Sequence, residues 1–78
     1  MPRYYFDLHN GDGPLRDNDG LEIASREGVA KEVSRILADI ARDEMPAQDK
    51  NVISLKVRNE VGKVISISSL TFFTEWLD

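Results

Sequence analysis

The sequence of 78 residues predicts an α+β fold, a β-β-α-β-β chain whose antiparallel four-stranded sheet carries one helix on one face. Three observations predict it. Apolar and polar residues alternate near both ends of the chain, a helical periodicity fills the middle, and turn-forming residues separate these stretches. The length accommodates one domain, residues 1–78, and the 41% of apolar residues suffices for one small core.

The first half of the chain predicts two strands. Residues 3–9 alternate, and residues 10–14 (Asn-Gly-Asp-Gly-Pro) predict a hairpin turn. Leu15 begins a short returning strand at a sheet edge, and after a second turn Leu21 and Ile23 bring apolar side chains back to the core. The alternation of the first strand places three side chains on the inner face: Tyr4, Phe6 and Leu8.

The middle of the chain predicts a helix over residues 26–44. Ser25 precedes it as an N-cap, and Pro46 ends it. Gly28 has no evident reason to lie in its first turn. The apolar residues recur at three- and four-residue steps, and they form one stripe: Val29, Val33, Ile36, Leu37 and Ile40.

Two further strands follow, over residues 52–58 and 64–73, joined by a turn at 59–62. In the last strand the facing changes midway, because Ile65 and Ile67 share one phase and Leu70 and Phe72 the other. A bulge near Ser68-Ser69 reconciles the two phases with one inner face. The predicted strand order is 2-1-3-4, with one side of the sheet left uncovered by the helix.

Composition excludes several classes of function. The net charge of −4 argues against a general binder of nucleic acid or of anionic membranes. The absence of cysteine excludes disulfides and zinc–thiolate sites, and no apolar run approaches a membrane span. The N-terminus lacks the apolar stretch of a secretory signal. We therefore expect a soluble cytoplasmic protein without a cofactor.

Four motifs carry a resemblance that covers essentially the whole chain. They are the opening M-P-R-Y-Y-F-D-L-H-N-G-D, the turn D-x-D-G-x-E at 17–22, A-R-D-E-M-P at 41–46 and V-R-N-E-V-G-K-V at 57–64. Together they resemble a family of short proteobacterial proteins classed as a domain of unknown function. The resemblance implies no established activity, cofactor or catalytic residue. A looser likeness in the pattern of turns links the chain to HicB-type antitoxins by analogy alone.

The acidic turn is the one candidate for a metal site. Four carboxylates crowd into eleven residues: Asp12, Asp17, Asp19 and Glu22. Oxygen-rich loops bind calcium or magnesium, but the calcium loop of an EF-hand does not fit this stretch. With Gly20 as the loop glycine, Leu15 takes the first ligand position and Arg26 the last, and with Gly13 there, Leu8 comes first. The turn itself requires Asp, Asn and Gly, so we predict no metal.

Asp7 and His9 share one side of the first strand, where a carboxylate could orient the imidazole as a general base. The alternative is an ordinary solvated strand face. Because the chain has a single histidine, no cysteine and no phosphate-binding glycine loop, we predict that it is not an enzyme and has no catalytic residue.

The uncovered sheet face is the first candidate binding surface. It presents six side chains: Arg3, Tyr5, Asp7, His9, Lys56 and Arg58. Its three cations form a basic patch on an acidic protein. Readers of single-stranded RNA stack bases on several aromatic rings, whereas only Tyr5 is placed for stacking here. Nucleic acid is therefore possible but disfavoured.

The C-terminal aromatic residues are the second candidate. Phe72 and Phe73 point to opposite faces of a strand, so both belong to the core only if the strand is covered twice. Either one ring fills the core while the other covers an edge, or an exposed ring and Trp76 form a homodimer edge.

The sequence thus predicts a small non-enzymatic interaction or regulatory module that acts through its open sheet face or its C-terminal aromatic edge. Its expected partner is another protein or a second copy, and no membrane. The alternative is a nucleic-acid-binding or HicB-like antitoxin-type adaptor that uses Arg3, Lys56 and Arg58.

Overall fold

The computed structural model describes residues 2–10, 13–44 and 50–78. It confirms an α+β fold with one helix and an antiparallel sheet. The elements are β1 (Arg3–Asn10), β2 (Gly13–Leu15), β3 (Leu21–Glu22), α1 (Arg26–Glu44), β4 (Lys50–Arg58) and β5 (Val64–Phe73). The sheet runs in the order β2-β1-β4-β5, and β3 pairs with β1 as well.

The prediction of four strands was wrong, because the chain that returns along β1 is split in two. β2 pairs with the end of β1, where Leu15 lies opposite Leu8, and β3 pairs with its start, where Leu21 lies opposite Tyr4. Tyr4 and Leu8 are four residues apart, whereas Leu15 and Leu21 are six apart. The surplus leaves the sheet as a loop of residues 16–20, which we call the arch.

The core lies between α1 and the inner face of the sheet. The helix packs mainly over β4, the strand between β1 and β5, whose inner side chains are fully buried. The predicted helical stripe is confirmed, and Ile23 packs against this core. Leu21, which we expected in the core, is exposed. The buried apolar residues are Phe6, Val29, Val33, Leu37, Ile53, Leu55 and Val57.

The start of α1 matches its sequence signals. The Ser25 hydroxyl accepts a hydrogen bond of 3.1 Å from the backbone N–H of Gly28, which confirms the N-cap. A Cβ at Gly28 would lie 2.7 Å from the Cγ2 of Ile23. Glycine therefore lets Ile23 lie against the first turn, which explains a residue that sequence alone left unexplained. Pro46, the predicted end of the helix, falls outside the described residues.

The bulge in β5 lies earlier than predicted. Val57 pairs with Ser66 and Arg58 with Val64, so Ile65 is the extra residue. Because one extra residue reverses the facing of everything after it, serines 66 and 68 face α1 and Ile67 faces away. The predicted bulge near residues 68–69 was wrong for this reason, and so was the inward facing of Ile67, which is 64% exposed.

The Ser25 cap generates a stability prediction. Ser25→Ala leaves the N–H of Gly28 without its acceptor and should lower the free energy of unfolding by about 1 kcal/mol. Ser25→Asp retains an acceptor oxygen and should keep the wild-type value. Urea denaturation followed by circular dichroism measures both, and equal losses in the two variants would contradict the cap.

Candidate functional site

The face of the sheet opposite α1, here the outer face, carries the predicted binding residues. Cross-strand pairs place Tyr5 beside Arg58 and Asp7 beside Lys56, and Ser54 lies beside His9. Arg3 shares this face by the alternation of β1. The six predicted side chains therefore share one face, but the structure divides them into two groups with different surroundings.

An ion pair joins the two central strands at one end of this face. Arg58 Nε donates to Asp7 Oδ2 at 2.6 Å, and Arg58 Nη2 donates to Asp7 Oδ1 at 3.1 Å. This two-pronged geometry matches a planar guanidinium to a carboxylate. Only 11% of the Arg58 side chain and 21% of the Asp7 side chain are exposed. The pair is therefore largely withdrawn from solvent.

The arch is what covers this pair. The backbone N–H of Asp17 donates to Asp7 Oδ1 at 2.9 Å, and Arg58 Nη2 donates to the Asp17 carbonyl at 2.8 Å. The Asp17 carboxylate accepts the N–H of Phe6 through Oδ2, and those of Asp19 and Gly20 through Oδ1. On the side of β1 away from β4, no strand lies beside Phe6 in the gap between β2 and β3, so this carboxylate takes the place of the missing backbone acceptor.

The arch lies close against the aromatic ring beneath it. A Cβ at Gly20 would lie 2.8 Å from Tyr5 Cε1 and 3.0 Å from the Tyr4 carbonyl oxygen. Gly20 also has a φ of 72°, in the left-handed region that favours glycine. The Arg58 guanidinium carbon lies 4.9 Å from the centre of the Tyr5 ring. Tyr5 is therefore enclosed by the arch and by Arg58.

The network shifts three pKa values. The hydrogen bond from Arg58 lowers the pKa of Asp7 by more than burial raises it, and the pKa of Arg58 rises through the same bond. Burial raises the pKa of Asp17, but the N–H groups of Phe6, Gly20 and Asp19 together outweigh it and lower the pKa overall. Both carboxylates are consequently held in the charged form.

The network also decides what the predicted residues can do. Arg3 is engaged as well, because Nη1 donates to the Asp19 carbonyl at 2.8 Å and Nη2 lies 3.5 Å from Glu22 Oε1. Both oxygens of Asp7 accept from Arg58 or from the Asp17 N–H, so this carboxylate has its own partners beside His9. Sequence reasoning assigned Asp17 to an acidic turn, in keeping with its bonds to the N–H groups two and three residues on, but missed its bonds to Phe6, Asp7 and Arg58.

The other end of the outer face contains a concavity of about 630 Å³, here the cation pocket. It lies between β2 and the middle of β1 and β4. Arg16 and Lys56 make no hydrogen bond or ion pair within the described parts of the chain. The residues lining it include His9, Pro14, Leu15, Arg16, Ser54 and Lys56.

The C-terminal aromatic residues differ in exposure. Phe72 lies opposite Asn51 on the inner side and is half-buried. Phe73, the last residue of β5, is 64% exposed, and Trp76, three residues further along the chain, is 73% exposed. Phe72 and Phe73 thus lie on opposite faces, as the alternation of a strand requires.

The described residues contain neither a metal-binding cluster nor a membrane-spanning helix. No group of three or more His, Asp or Glu side chains there could hold a metal ion. Asp12, part of the acidic turn, lies outside these residues. No helix among the described residues is both long and apolar enough to cross a bilayer.

Comparison with known proteins places the chain in a family. A family model described as a domain of unknown function, DUF6894, matches residues 3–71. The chain belongs to this family. The predicted resemblance to a family of uncharacterised function is confirmed. The matched residues include the arch together with β2 and β3 on either side of it. No curated protein and no solved structure matches the chain.

The lowered pKa values generate a pH prediction. Since Asp7 and Asp17 bind protons more readily in the unfolded chain, their contribution to stability is complete well above the ordinary pKa of 3.8 and is lost as pH falls through the lowered pKa values of the folded protein. Asp7→Asn should lower the free energy of unfolding at pH 7 by about 2 kcal/mol, and its stability should depend less on pH below about 5.

The matched control is Asp43→Asn, which removes an exposed carboxylate of α1 that forms no ion pair or hydrogen bond with the described residues. Its stability should follow the wild-type curve. Urea denaturation across the acid range measures all three proteins. An acid dependence in Asp7→Asn as steep as in the wild type would show that the carboxylate is not held by Arg58.

Proposed function

We propose that this chain is a non-enzymatic interaction module that associates through the edge of β5 and the C-terminal aromatic residues beside it. The main support for this proposal is the amino-acid composition of β5. β5 is the last strand of the sheet, and ten residues from Val64 to Phe73 include no charged residue and no proline. Such an edge offers unpaired backbone N–H and C=O groups for strand addition.

Features that normally protect an edge are confined to one end of β5. The bulge at Ile65 distorts the first few residues, and from Ser66 onward the pairing with β4 is regular. Exposed apolar side chains accompany this regular part on the outer face, where Ile67 and Phe73 are each 64% exposed. Val52 of β4 extends the apolar surface beside Thr71.

The partner we propose is a second copy of the chain. Two β5 strands related by a two-fold axis would run antiparallel, and an uncharged strand meets its own copy without like-charge repulsion. A register centred on Leu70 would place Ile67 of one copy opposite Phe73 of the other. This register joins the most exposed apolar side chains of the strand, and therefore supports the self-pairing.

The geometry does not favour the alternative, an adaptor that grips nucleic acid with Arg3, Lys56 and Arg58. Arg58 is held by Asp7 and covered by the arch, and Arg3 bonds to Asp19 and pairs with Glu22. Nucleic-acid affinity depends on cations that are available to phosphates. Of these three cations, Lys56 alone forms no ion pair within the described residues.

Sedimentation equilibrium between about 5 and 500 μM tests the proposal, because a pairing smaller than the usual interface of about 800 Å² per partner should dissociate in the micromolar range. The wild type should reach a dimer mass. Ile67→Lys should remain monomeric, since it places two charges at the self-paired edge. Moderate salt should leave the wild-type dimer unchanged, since apolar and backbone contacts are not screened.

Val61→Lys is the matched control. It introduces the same charge at a more exposed apolar residue, in the turn before β5 rather than along its edge. Its dimerisation should equal that of the wild type. A wild-type monomer at the highest concentration, or equal effects of the two lysines, would overturn the proposal.

A further inference from the structure

The cation pocket indicates a second binding site, which does not depend on association through the β5 edge. Its two basic side chains come from different elements, since Arg16 follows β2 and Lys56 belongs to β4. The protein as a whole is acidic, with a net charge of −4. Two cations at one concavity of an acidic protein are therefore a local exception to its charge.

Among the described residues that line the pocket, Asp7 is the one carboxylate, and it forms no hydrogen bond or ion pair with either cation. Asp7 lines the pocket, but its charge is already balanced by Arg58, which holds both of its oxygens. The Asp17 N–H supplies a further donor to Oδ1. Arg16 attracts the Asp7 carboxylate through space, but Arg58 already balances that charge, so the pocket keeps a net positive charge from Arg16 and Lys56. The Ser54 hydroxyl and the His9 imidazole are further polar groups.

The remaining wall of the pocket is apolar. Pro14 and Leu15 of β2 line it, and Leu15 is 67% exposed. A volume of about 630 Å³ lies within the range of sites for small molecules, which combine apolar walls with a few polar groups. One end of the pocket thus suits an anionic group, and the β2 wall suits a hydrocarbon part.

We infer that the cation pocket binds a small amphiphilic anion, whose carboxylate or phosphate lies between Arg16 and Lys56 and whose hydrocarbon part lies against Pro14 and Leu15. Two basic side chains bind either oxyanion by charge-assisted hydrogen bonds. The apolar wall distinguishes such a ligand from an inorganic anion, because contact with it requires a hydrocarbon part.

An amide NMR titration tests this inference with four probes: hexanoate, hexyl phosphate, acetate and inorganic phosphate. Hexanoate or hexyl phosphate, the two probes with a hydrocarbon chain, should give saturable shifts at residues 8–9, 15–16 and 54–56. The tighter of the two identifies the preferred oxyanion. Acetate and inorganic phosphate should bind about tenfold more weakly, since they lack the roughly 1.4 kcal/mol that two or more buried methylene groups supply.

The variants separate a site from general attraction of anions. Arg16→Gln and Lys56→Gln should each weaken the hexyl probe about tenfold, the loss of one charge-assisted hydrogen bond. Arg42→Gln on α1 and Lys63→Gln before β5 remove the same charge elsewhere and should leave the affinity unchanged. Absent or non-saturable shifts, or equal weakening by all four variants, would overturn the inference.

Discussion

The structure depends on how one polar side chain completes the interrupted edge of β1. On the side away from β4, β2 and β3 pair with the two ends of this strand and leave its middle without a partner strand. The Asp17 carboxylate accepts the Phe6 N–H in that gap, while the backbone of Asp17 bonds to both Asp7 and Arg58. A buried N–H without an acceptor costs free energy, and the Asp17 side chain removes this cost by accepting the Phe6 N–H. The backbone bonds of the same residue hold the arch against Asp7 and Arg58.

This constraint divides the outer face and thereby decides where the molecule can bind. The arch and the ion pair hold Tyr5, Asp7 and Arg58 in contacts with one another, so the charges of Asp7 and Arg58 stabilise the fold. The cation pocket and the β5 edge lie beyond the arch and keep their unsatisfied groups: cations in one, and backbone donors and acceptors in the other. In a domain of this size the sheet alone supplies little stability, and a polar network on the face that α1 leaves uncovered adds to it.

The sequence predicts those parts of the fold that depend on local patterns. The helix over 26–44, its Ser25 cap and the inner faces of β1 and β4 follow from periodicity and capping. The facing of Ile67 does not, because the bulge at Ile65 sets it, and the sequence pattern fits a bulge at either place. The pairing of Asp7 with Arg58 joins residues 51 positions apart. The alternation of apolar and polar residues places Asp7 and Arg58 on the same face of the sheet. It does not give the register between β1 and β4 or the position of the arch, because these depend on contacts between distant parts of the chain.

Amide hydrogen exchange of the wild-type protein tests the closed arch most directly. If the arch is part of the cooperative fold, the amides of Phe6, Asp19 and Gly20 exchange with the same opening free energy as that of Leu55 in the central strand. If the arch opens independently, they exchange as fast as the amide of Glu60 in the exposed turn before β5 while Leu55 stays protected. The first result is the one expected from the Asp17 hydrogen bonds, and the second would contradict the account.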